Sequence, residues 1–356
     1  MNDRLSAWLV MLTLLAAAPF GMPALAQGFA GLGTDAEGFA MPQRGRAFEF
    51  PRDHGPHPDY RIEWWYLTAN LTGEDGEDYG VQWTLFRSAL APGERDSWSS
   101  PQIWMGHAGL TQRDRHFSAE RFGRGGTGQA GVSADPFHAW IDEWQMRNPA
   151  GAGDLDTLDV TATGPEFGYT LSLQAEGPLV KHGDDGYSVK SERGQASYYY
   201  SQPHYRAEGT LKLPEGEVAV TGRAWLDREW SSQPLDADQE GWDWFSLHFD
   251  SGARMMGFGL RGPIPFTYAT WITPEGTAQP MPHGALRLTP TRTEDVAGRD
   301  TPVAWRLELP QRDLDITVEA LNPQSWMDLS VSYWEGPVHV SGSHSGRGYL
   351  EMTGYD

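Results

Sequence analysis

The sequence contains no cysteine among its 356 residues. This absence excludes disulfide bonds, thiolate nucleophiles and cysteine-ligated metal sites. The fold must therefore be stabilised by apolar cores. A chain of this length can supply two cores of ordinary size.

Positive charge is also scarce. Lysine and arginine total 27 against 48 aspartate and glutamate residues, which gives a net charge of -21. A protein this acidic repels nucleic acids and anionic membrane surfaces. The sequence therefore predicts a small-molecule partner and excludes nucleic acid.

Long apolar runs are confined to the N-terminus. The run from Leu5 to Ala18 is followed by Ala24-Leu25-Ala26, a layout typical of a secretory signal peptide cleaved before Gln27. A membrane anchor is the weaker alternative, because this run has about 14 residues and a spanning helix needs about 20. We expect residues 1–26 to be a signal peptide and the mature protein to be periplasmic or secreted, with no integral membrane span.

Several familiar catalytic motifs are missing or incomplete. The glycine pattern of residues 257–262 is followed by Pro263, where a dinucleotide-binding motif needs a helix. Residues 342–346 resemble a serine-hydrolase elbow but have His344 at the position of the nucleophile. No HExxH pattern occurs, and the eleven histidines lack ligand spacing. We therefore predict neither a metal nor a cofactor.

The chain does contain two series of short segments in which apolar and polar residues alternate. Aromatic and β-branched residues are common in them, and turn residues separate them. The series break near residues 231–241. The pattern predicts an all-β protein of two packed antiparallel β-barrels, at 58–232 and 233–356, after an irregular segment at 27–57. Residues 136–147 are the best candidate for a helix.

Aromatic residues are the second abundant feature, with 16 Trp, 13 Tyr and 14 Phe. A β-core accommodates aromatic rings well, so any single ring is more simply explained as core packing. Three clusters, at residues 64–66, 198–200 and 242–245, place large rings on both sides of their strands. Rings that line a barrel with few polar groups describe a cavity for an apolar ligand.

The stretch GRAWLDREWSS, residues 222–232, combines tryptophan with carboxylates. As a strand it places Trp225, Asp227 and Glu229 on one face. If that face lines the cavity, desolvation raises the pKa of Asp227, and a carboxyl group that keeps its proton near neutral pH can act as a general acid. The alternative is a structural salt bridge from Asp227 or Glu229 to Arg87 or Arg228.

Seven ordered segments resemble the carotenoid 1,2-hydratase family and its AttH-type relatives, over residues 54–356. They read IEWWYLTANL, YGVQWTLFR, HAGLTQ, SYYYSQP, GRAWLDREW, WDWFSLHFDSG and GRGYLEMTGYD. The resemblance implies two lipocalin-like barrels with a pocket for an elongated apolar molecule such as a lipid, terpenoid or acyl chain. In the hydratases an aspartate protonates a C=C bond, and that element matches Trp225-Leu226-Asp227. This chain has Trp225 in place of the family's tyrosine, and residues 198–200 where the family has His-x-Trp.

We therefore expect Asp227 to be the general acid of a hydratase or cofactor-free isomerase, with a hydrolase ranked below these. Glu63 and Glu229 are the carboxylates expected nearest to it. The residues expected to shape the pocket, within the first barrel or between the domains, are Trp65, Tyr198, Tyr200, Trp225 and Trp244, with His107 and His248 as lesser candidates. The alternative is a non-enzymatic periplasmic lipid carrier or chaperone that works with a membrane transport system.

Overall fold

The computed structural model describes residues 36–233, 235–236 and 238–355. The predicted signal peptide lies outside the described residues. Almost all regular structure in the described part of the chain is β-strand, in two antiparallel sheets. The prediction of an all-β fold is therefore confirmed.

The first sheet has 13 strands and curves into a nearly closed barrel. Its order is β4-β3-β2-β1-β13-β12-β9-β8-β7-β6-β5, with β10 and β11 also paired to β12, and β4 approaches β6. The strands are β1 Ile62–Gly73, β2 Asp78–Ala89, β3 Gln102–Thr111, β4 His116–Arg124, β5 Ala130–Ala134, β6 Phe137–Ile141, β7 Trp144–Arg147, β8 Thr157–Thr163, β9 Gly168–Ala175, β10 Val180–Lys181, β11 Tyr187–Val189, β12 Ala196–Leu213 and β13 Gly216–Ser231.

The second sheet has 10 strands and forms a half-barrel. Its order is β17-β16-β15-β14-β23-β22-β20-β19-β18, with β21 paired to β22. The strands are β14 Gly241–Phe249, β15 Arg254–Arg261, β16 Phe266–Ile272, β17 Ala278–Pro280, β18 Arg287–Val296, β19 Arg299–Leu309, β20 Leu314–Ala320, β21 Trp326–Met327, β22 Tyr333–Gly342 and β23 Gly346–Met352. The exact domain limits at 57/58 and 232/233 stay predictions.

Residues 136–147, the candidate helix, form β6 and β7 instead. Asp142, which lies between these strands, has a φ of 50° in the left-handed region, a conformation that aspartate tolerates better than most residues and that suits a tight turn. The helical elements found within the described ranges are three-residue 3-10 helices at Arg52–His54, Ser97–Ser99 and Pro310–Arg312. None of the helices described there could cross a membrane.

Burial patterns distinguish strands that face solvent from strands that are covered on both sides. In β20 buried and exposed residues alternate along the whole strand, which is typical of a sheet with one face exposed to solvent. In β1 ten of the twelve residues are buried, because one face packs inside the barrel and the other packs against the second sheet. The double coverage of β1, β12, β13 and β14 explains why rings lie on both sides of these strands.

Three apolar clusters follow from this arrangement. One fills the first barrel, a second lies on the inner face of the half-barrel, and a third lies between the two sheets. The N-terminal segment ahead of β1 also contributes to the first cluster, since the Phe48 ring makes edge contacts with Tyr200 and Trp230 at centroid distances of 5.6 and 5.5 Å.

Candidate active site between the two sheets

A cavity of about 80 Å³ lies between the two sheets. Strands β1 and β13 of the barrel supply one wall, and β14, β15 and β23 of the half-barrel supply the other. The lining residues are Trp64, Tyr66, Phe86, Lys190, Asp227, Glu229, Leu235, Trp242, Trp244, Phe258, Leu260 and Glu351. The cavity therefore combines aromatic walls with three carboxyl groups and one amine.

Strand register explains why Asp227 reaches this cavity. The two-residue period of β13 points Trp225, Asp227 and Glu229 out of the barrel, towards the second sheet. Asp227 lies opposite Tyr66 on β1 and opposite Ser201 on β12. The flanking strands thereby place hydroxyl-bearing side chains on both sides of this carboxyl group.

Asp227 is 2% exposed and is surrounded by neutral donors. The Tyr199 hydroxyl donates to Oδ2 at 2.6 Å, Trp225 Nε1 donates to Oδ1 at 2.6 Å, and the Ser201 hydroxyl donates to Oδ1. Burial raises the pKa of Asp227 from 3.8 to about 7, against the opposing effect of these three hydrogen bonds. The protonated and ionised forms are therefore both populated near neutral pH.

Glu229, two residues further along the same face, has a cationic partner. Lys190 Nζ lies 2.9 Å from Glu229 Oε1, and the Ser197 hydroxyl donates to the same oxygen. The Lys190 amine also lies 4.3 Å from the ring centre of Phe258, within cation-π distance. Glu229 is therefore held as an ion pair, unlike Asp227.

Glu351 is a third carboxyl group in the cavity, and the sequence did not single it out. Trp242 Nε1 donates to its Oε1 at 2.6 Å. Burial raises the pKa of Glu351 to about 7, with repulsion from Asp227 and Glu229 adding to the effect. Glu335, directly opposite on β22, is also buried, and burial together with Glu351 raises its pKa well above the usual range. The two-residue period of β23 could have placed Glu351 with Tyr349, but not beside Asp227.

Glu63 lies on the opposite face of the sheet and does not line the cavity. Its carboxylate pairs with Arg87 and Arg228 inside the barrel, and the backbone N–H of His57 donates to it at 2.8 Å. Burial alone would raise the pKa of Glu63, but the two arginines lower it well below its usual range. The predicted arginine partners thus bind Glu63, and within the described residues no ion pair joins either arginine to Asp227 or Glu229.

The aromatic residues predicted to shape the pocket are also divided between the cavity side and the core of the first barrel. Trp244 lines the cavity, and Trp225 donates a hydrogen bond to Asp227 without lining the cavity itself. The other three predicted rings, Trp65, Tyr198 and Tyr200, belong to the core of the first barrel. Their neighbours one position away, Trp64, Tyr66 and Tyr199, take the side facing the second sheet.

The two candidate histidines lie outside the cavity lining. His107 bonds to the Tyr333 hydroxyl at 3.0 Å and to Glu120 at 3.1 Å, and His248 bonds to the Pro203 carbonyl at 3.0 Å. Burial lowers the pKa of both imidazoles. The described residues contain no group of three or more acidic or histidine side chains arranged to hold a metal ion.

Comparison with known proteins gives a family match. A family model described as AttH-like matches residues 41–355. A search of the curated proteins gave no match. The family model confirms the resemblance to AttH-type proteins.

Two solved structures are similar to the chain over most of its length. One is the crystal structure of an AttH protein from Nitrosomonas europaea, with 31% identity and a TM-score of 0.79 over 89% of this chain and 99% of that one. The other is kievitone hydratase from Nectria haematococca, with 16% identity and a TM-score of 0.67 over 90% and 98% of the two chains. At 16% identity the second likeness shows the fold alone.

Proposed function

Because the chain belongs to the AttH-like family, we propose that it uses the hydratase-type scaffold to bind the end of an elongated apolar molecule between its two sheets. Asp227 then protonates a C=C bond of that molecule, and water adds to the resulting cation. A lipid, terpenoid or acyl chain is the substrate class that the aromatic lining favours. A protein named as a hydratase has the same fold, so the scaffold is compatible with this reaction class.

The environment of Asp227 is the observation that carries the proposal. A general acid works best when its pKa lies near the working pH, and burial raises the pKa of Asp227 to about 7. A substantial fraction of the protein therefore carries a transferable proton near neutral pH, on a carboxyl group that faces an aromatic cavity. Strongly perturbed carboxyl groups in clefts are typical of functional sites.

The reaction step balances with the groups that the cavity contains. Asp227 gives its proton to one alkene carbon, and the π electrons form the new C–H bond. The neighbouring carbon becomes a cation, which the faces of Trp64, Tyr66 and Trp244 stabilise by cation-π attraction. Water adds to this cation, and the carboxylate of Glu229 takes the surplus proton from the oxonium. Loss of a proton from carbon instead of addition of water gives an isomerase.

The size of the cavity defines what it can hold. Its volume of about 80 Å³ is below the roughly 300 Å³ typical of a pocket that encloses a whole drug-sized ligand. We therefore expect the reacting end of the substrate to enter, while the rest lies along the half-buried rings of Trp64, Phe86 and Trp242. A carrier that encloses its cargo needs a larger space, so the cavity favours the enzyme over the carrier.

The test uses geraniol and oleic acid as probes in ¹⁸O-labelled water and, separately, in D₂O. Hydration places ¹⁸O and solvent hydrogen in the product, whereas isomerisation places solvent hydrogen alone. The Asp227→Asn variant keeps the shape of the side chain but lacks the transferable proton, so we expect a rate loss of about a hundredfold or more while both probes still bind.

The matched control is Asp243→Asn, because Asp243 is buried on β14 but does not line the cavity. This variant should retain activity to within a few-fold. Equal rates for Asp227→Asn and the unmodified protein would overturn the assignment of the acid. Tight binding of both probes without any product would favour the carrier.

Export is a separate part of the proposal and rests on the layout of residues 1–26. Expression of the full chain in a bacterium with a periplasm, followed by intact-mass measurement of the periplasmic fraction, should give a protein that begins at Gln27. Retention of Met1 or a cytoplasmic product would contradict export.

A further inference from the structure

A buried histidine outside the cavity is linked to Asp227 through a hydroxyl group. His182, which follows β10, has 0% exposure. Its Nε2 lies 2.6 Å from the Ser201 hydroxyl oxygen, and that hydroxyl is the one that donates to Asp227 Oδ1. Two hydrogen bonds, which share the Ser201 hydroxyl, therefore link the imidazole to the carboxyl group.

From the other nitrogen of the imidazole, further hydrogen-bonded groups lead towards the surface. His182 Nδ1 lies 2.9 Å from the hydroxyl oxygen of Thr270, which in turn lies 3.3 Å from the hydroxyl of Tyr268 on the same strand. The backbone N–H of Gly183 donates to the Tyr268 oxygen at 2.8 Å. A continuous series of exchangeable groups thus runs from Asp227 through Ser201, His182 and Thr270 to Tyr268.

Tyr268 opens onto a second concavity. This surface groove has a volume of about 650 Å³, and its lining includes Arg44, Asp184, Glu192 and His283. It shares no lining residue with the cavity at Asp227. The series of hydroxyl and imidazole groups therefore connects the candidate acid with solvent on a different part of the molecule.

We propose that Tyr268, Thr270, His182 and Ser201 form a proton relay that returns a proton from the surface groove to Asp227 after each turnover. This inference rests on the proposed function. Once Asp227 has given its proton to carbon, the bound substrate lies between its carboxylate and the mouth of the cavity. A route that bypasses the substrate restores the acid.

The donors and acceptors along the relay can all be satisfied in one direction. In the structure the Thr270 hydroxyl donates to the Tyr268 oxygen, and its rotation towards His182 sets the direction of the relay. With Asp227 ionised, Tyr268 then donates to Thr270, Thr270 donates to His182 Nδ1, His182 Nε2–H donates to Ser201, and Ser201 donates to Asp227. Each proton moves one bond along this direction, and a proton from water in the groove replaces that of Tyr268. Rotation of the hydroxyls and tautomerisation of the imidazole reset the relay.

A neutral imidazole is required, because only that form accepts at one nitrogen while it donates at the other. Burial, assisted by the Lys190 charge, lowers the pKa of His182 to about 3. The titratable and charged groups that face the ring are Tyr199, whose ring centre is 4.3 Å away, Lys190, and Asp227 beyond Ser201.

The proton count of the whole reaction closes. For each water molecule added, one proton enters through the relay to Asp227, and one leaves from the oxonium through Glu229 to the mouth of the cavity. No oxidant or further reactant is needed. The relay residues do not touch the substrate and act through Asp227.

Thr270→Val is the variant that tests the relay, because valine matches threonine in shape and lacks the hydroxyl. Thr270→Ser restores the hydroxyl, and Tyr187→Phe changes the lining of the same groove without changing the relay. With geraniol as the probe, we expect Thr270→Val to keep the single-turnover rate within about twofold and to lose about tenfold in multiple turnover. Both controls should behave like the unmodified protein. Equal losses in single and multiple turnover would overturn the relay.

A second measurement needs no substrate and so separates failure of the relay from failure of the proposed function. In protein labelled with ¹⁵N-histidine, the His182 ring N–H exchanges with D₂O through the relay. Thr270→Val should slow this exchange by about tenfold, whereas a merely loosened structure would speed it up. Unchanged or faster exchange would contradict the relay even if hydration is observed. Slower exchange would support it even if geraniol is not a substrate.

Discussion

The two faces of the sheet at β1 and β13 carry buried carboxyl groups whose pKa values are shifted in opposite directions. Glu63, on the face inside the barrel, has 0% exposure and lies between Arg87 and Arg228. Asp227, on the face towards the second sheet, has 2% exposure and lies among neutral hydroxyl and indole donors. The pKa of Glu63 falls well below its usual range and that of Asp227 rises to about 7.

The difference shows that burial alone does not decide what a carboxyl group does. Desolvation raises the pKa of both groups, and only the cations beside Glu63 reverse the effect. The inner network therefore holds a fixed negative charge and serves the fold. The outer group holds an exchangeable proton and faces a cavity. We interpret the first as structural and the second as the candidate acid.

The largest effect is expected from Glu63→Gln. This change leaves Arg87 and Arg228 buried without their shared carboxylate, and breaking a buried pair in this way typically costs about 3 to 5 kcal/mol. Urea unfolding at pH 7 should show a loss of that size. Glu49→Gln, at an exposed salt bridge, is the control and should change the free energy of unfolding by less than about 0.5 kcal/mol. A decrease of less than about 1 kcal/mol in the free energy of unfolding for Glu63→Gln would contradict the structural role.

Asp227→Asn should have a pH-dependent effect of opposite sign. The pKa of Asp227 is about 7 in the folded protein against 3.8 as its ordinary value, so the folded state binds more protons between these limits. The free energy of unfolding of the unmodified protein therefore falls as the pH rises through this window, by up to about 4 kcal/mol from this group. Asparagine does not titrate and lacks this loss.

Comparison of the two proteins at several pH values isolates the contribution of Asp227 from carboxyl groups that do not interact with it, and Glu351, which Asp227 repels, adds only a smaller difference. We expect Asp227→Asn to gain stability relative to the unmodified protein between about pH 4 and pH 7 and to change little below that range. A stability difference that is the same at pH 4 and pH 8 would show that Asp227 titrates at its ordinary value.

A smaller effect is expected from Tyr199→Phe. The Tyr199 hydroxyl donates to Asp227 Oδ2, and loss of a donor to the ionised form should raise the pKa of Asp227 further, by about one unit. Tyr198→Phe, one position away, removes a hydroxyl that bonds to Gln43 on the barrel side and should leave the pKa of Asp227 unchanged. NMR titration of both variants provides the comparison, and equal shifts would show that the face of the strand is irrelevant.

The all-β class and the grouping of Trp225 with Asp227 could be predicted from the two-residue period. The period could not show which face of β1, β12 and β13 points into the barrel, because both faces are buried and both carry large rings. The alternation therefore predicts Tyr198 and Tyr200 at the site, whereas Tyr199 is the residue that contacts Asp227. It likewise predicts Glu63 and Trp65, whereas Trp64 and Tyr66 line the cavity.

The remaining site residues come from segments that are distant in sequence. Lys190 and Glu351 reach the cavity because the half-barrel packs against the first sheet. The alternation of residues along one strand does not predict how two sheets pack. His182 lies in a turn-rich segment with no period at all, so its link to Asp227 is visible only in the folded structure. The signal peptide and the domain limits remain predictions from sequence.

The most direct test of the account is the pKa of the Asp227 carboxyl group itself. Protein labelled with ¹³C at the aspartate carboxyl carbons can be titrated by NMR, and the Asp227 resonance is identified by its absence in Asp227→Asn. The account predicts that this resonance titrates with a pKa of about 7. A pKa at or below about 4, the ordinary value for aspartate, would contradict the assignment of Asp227 as a proton donor.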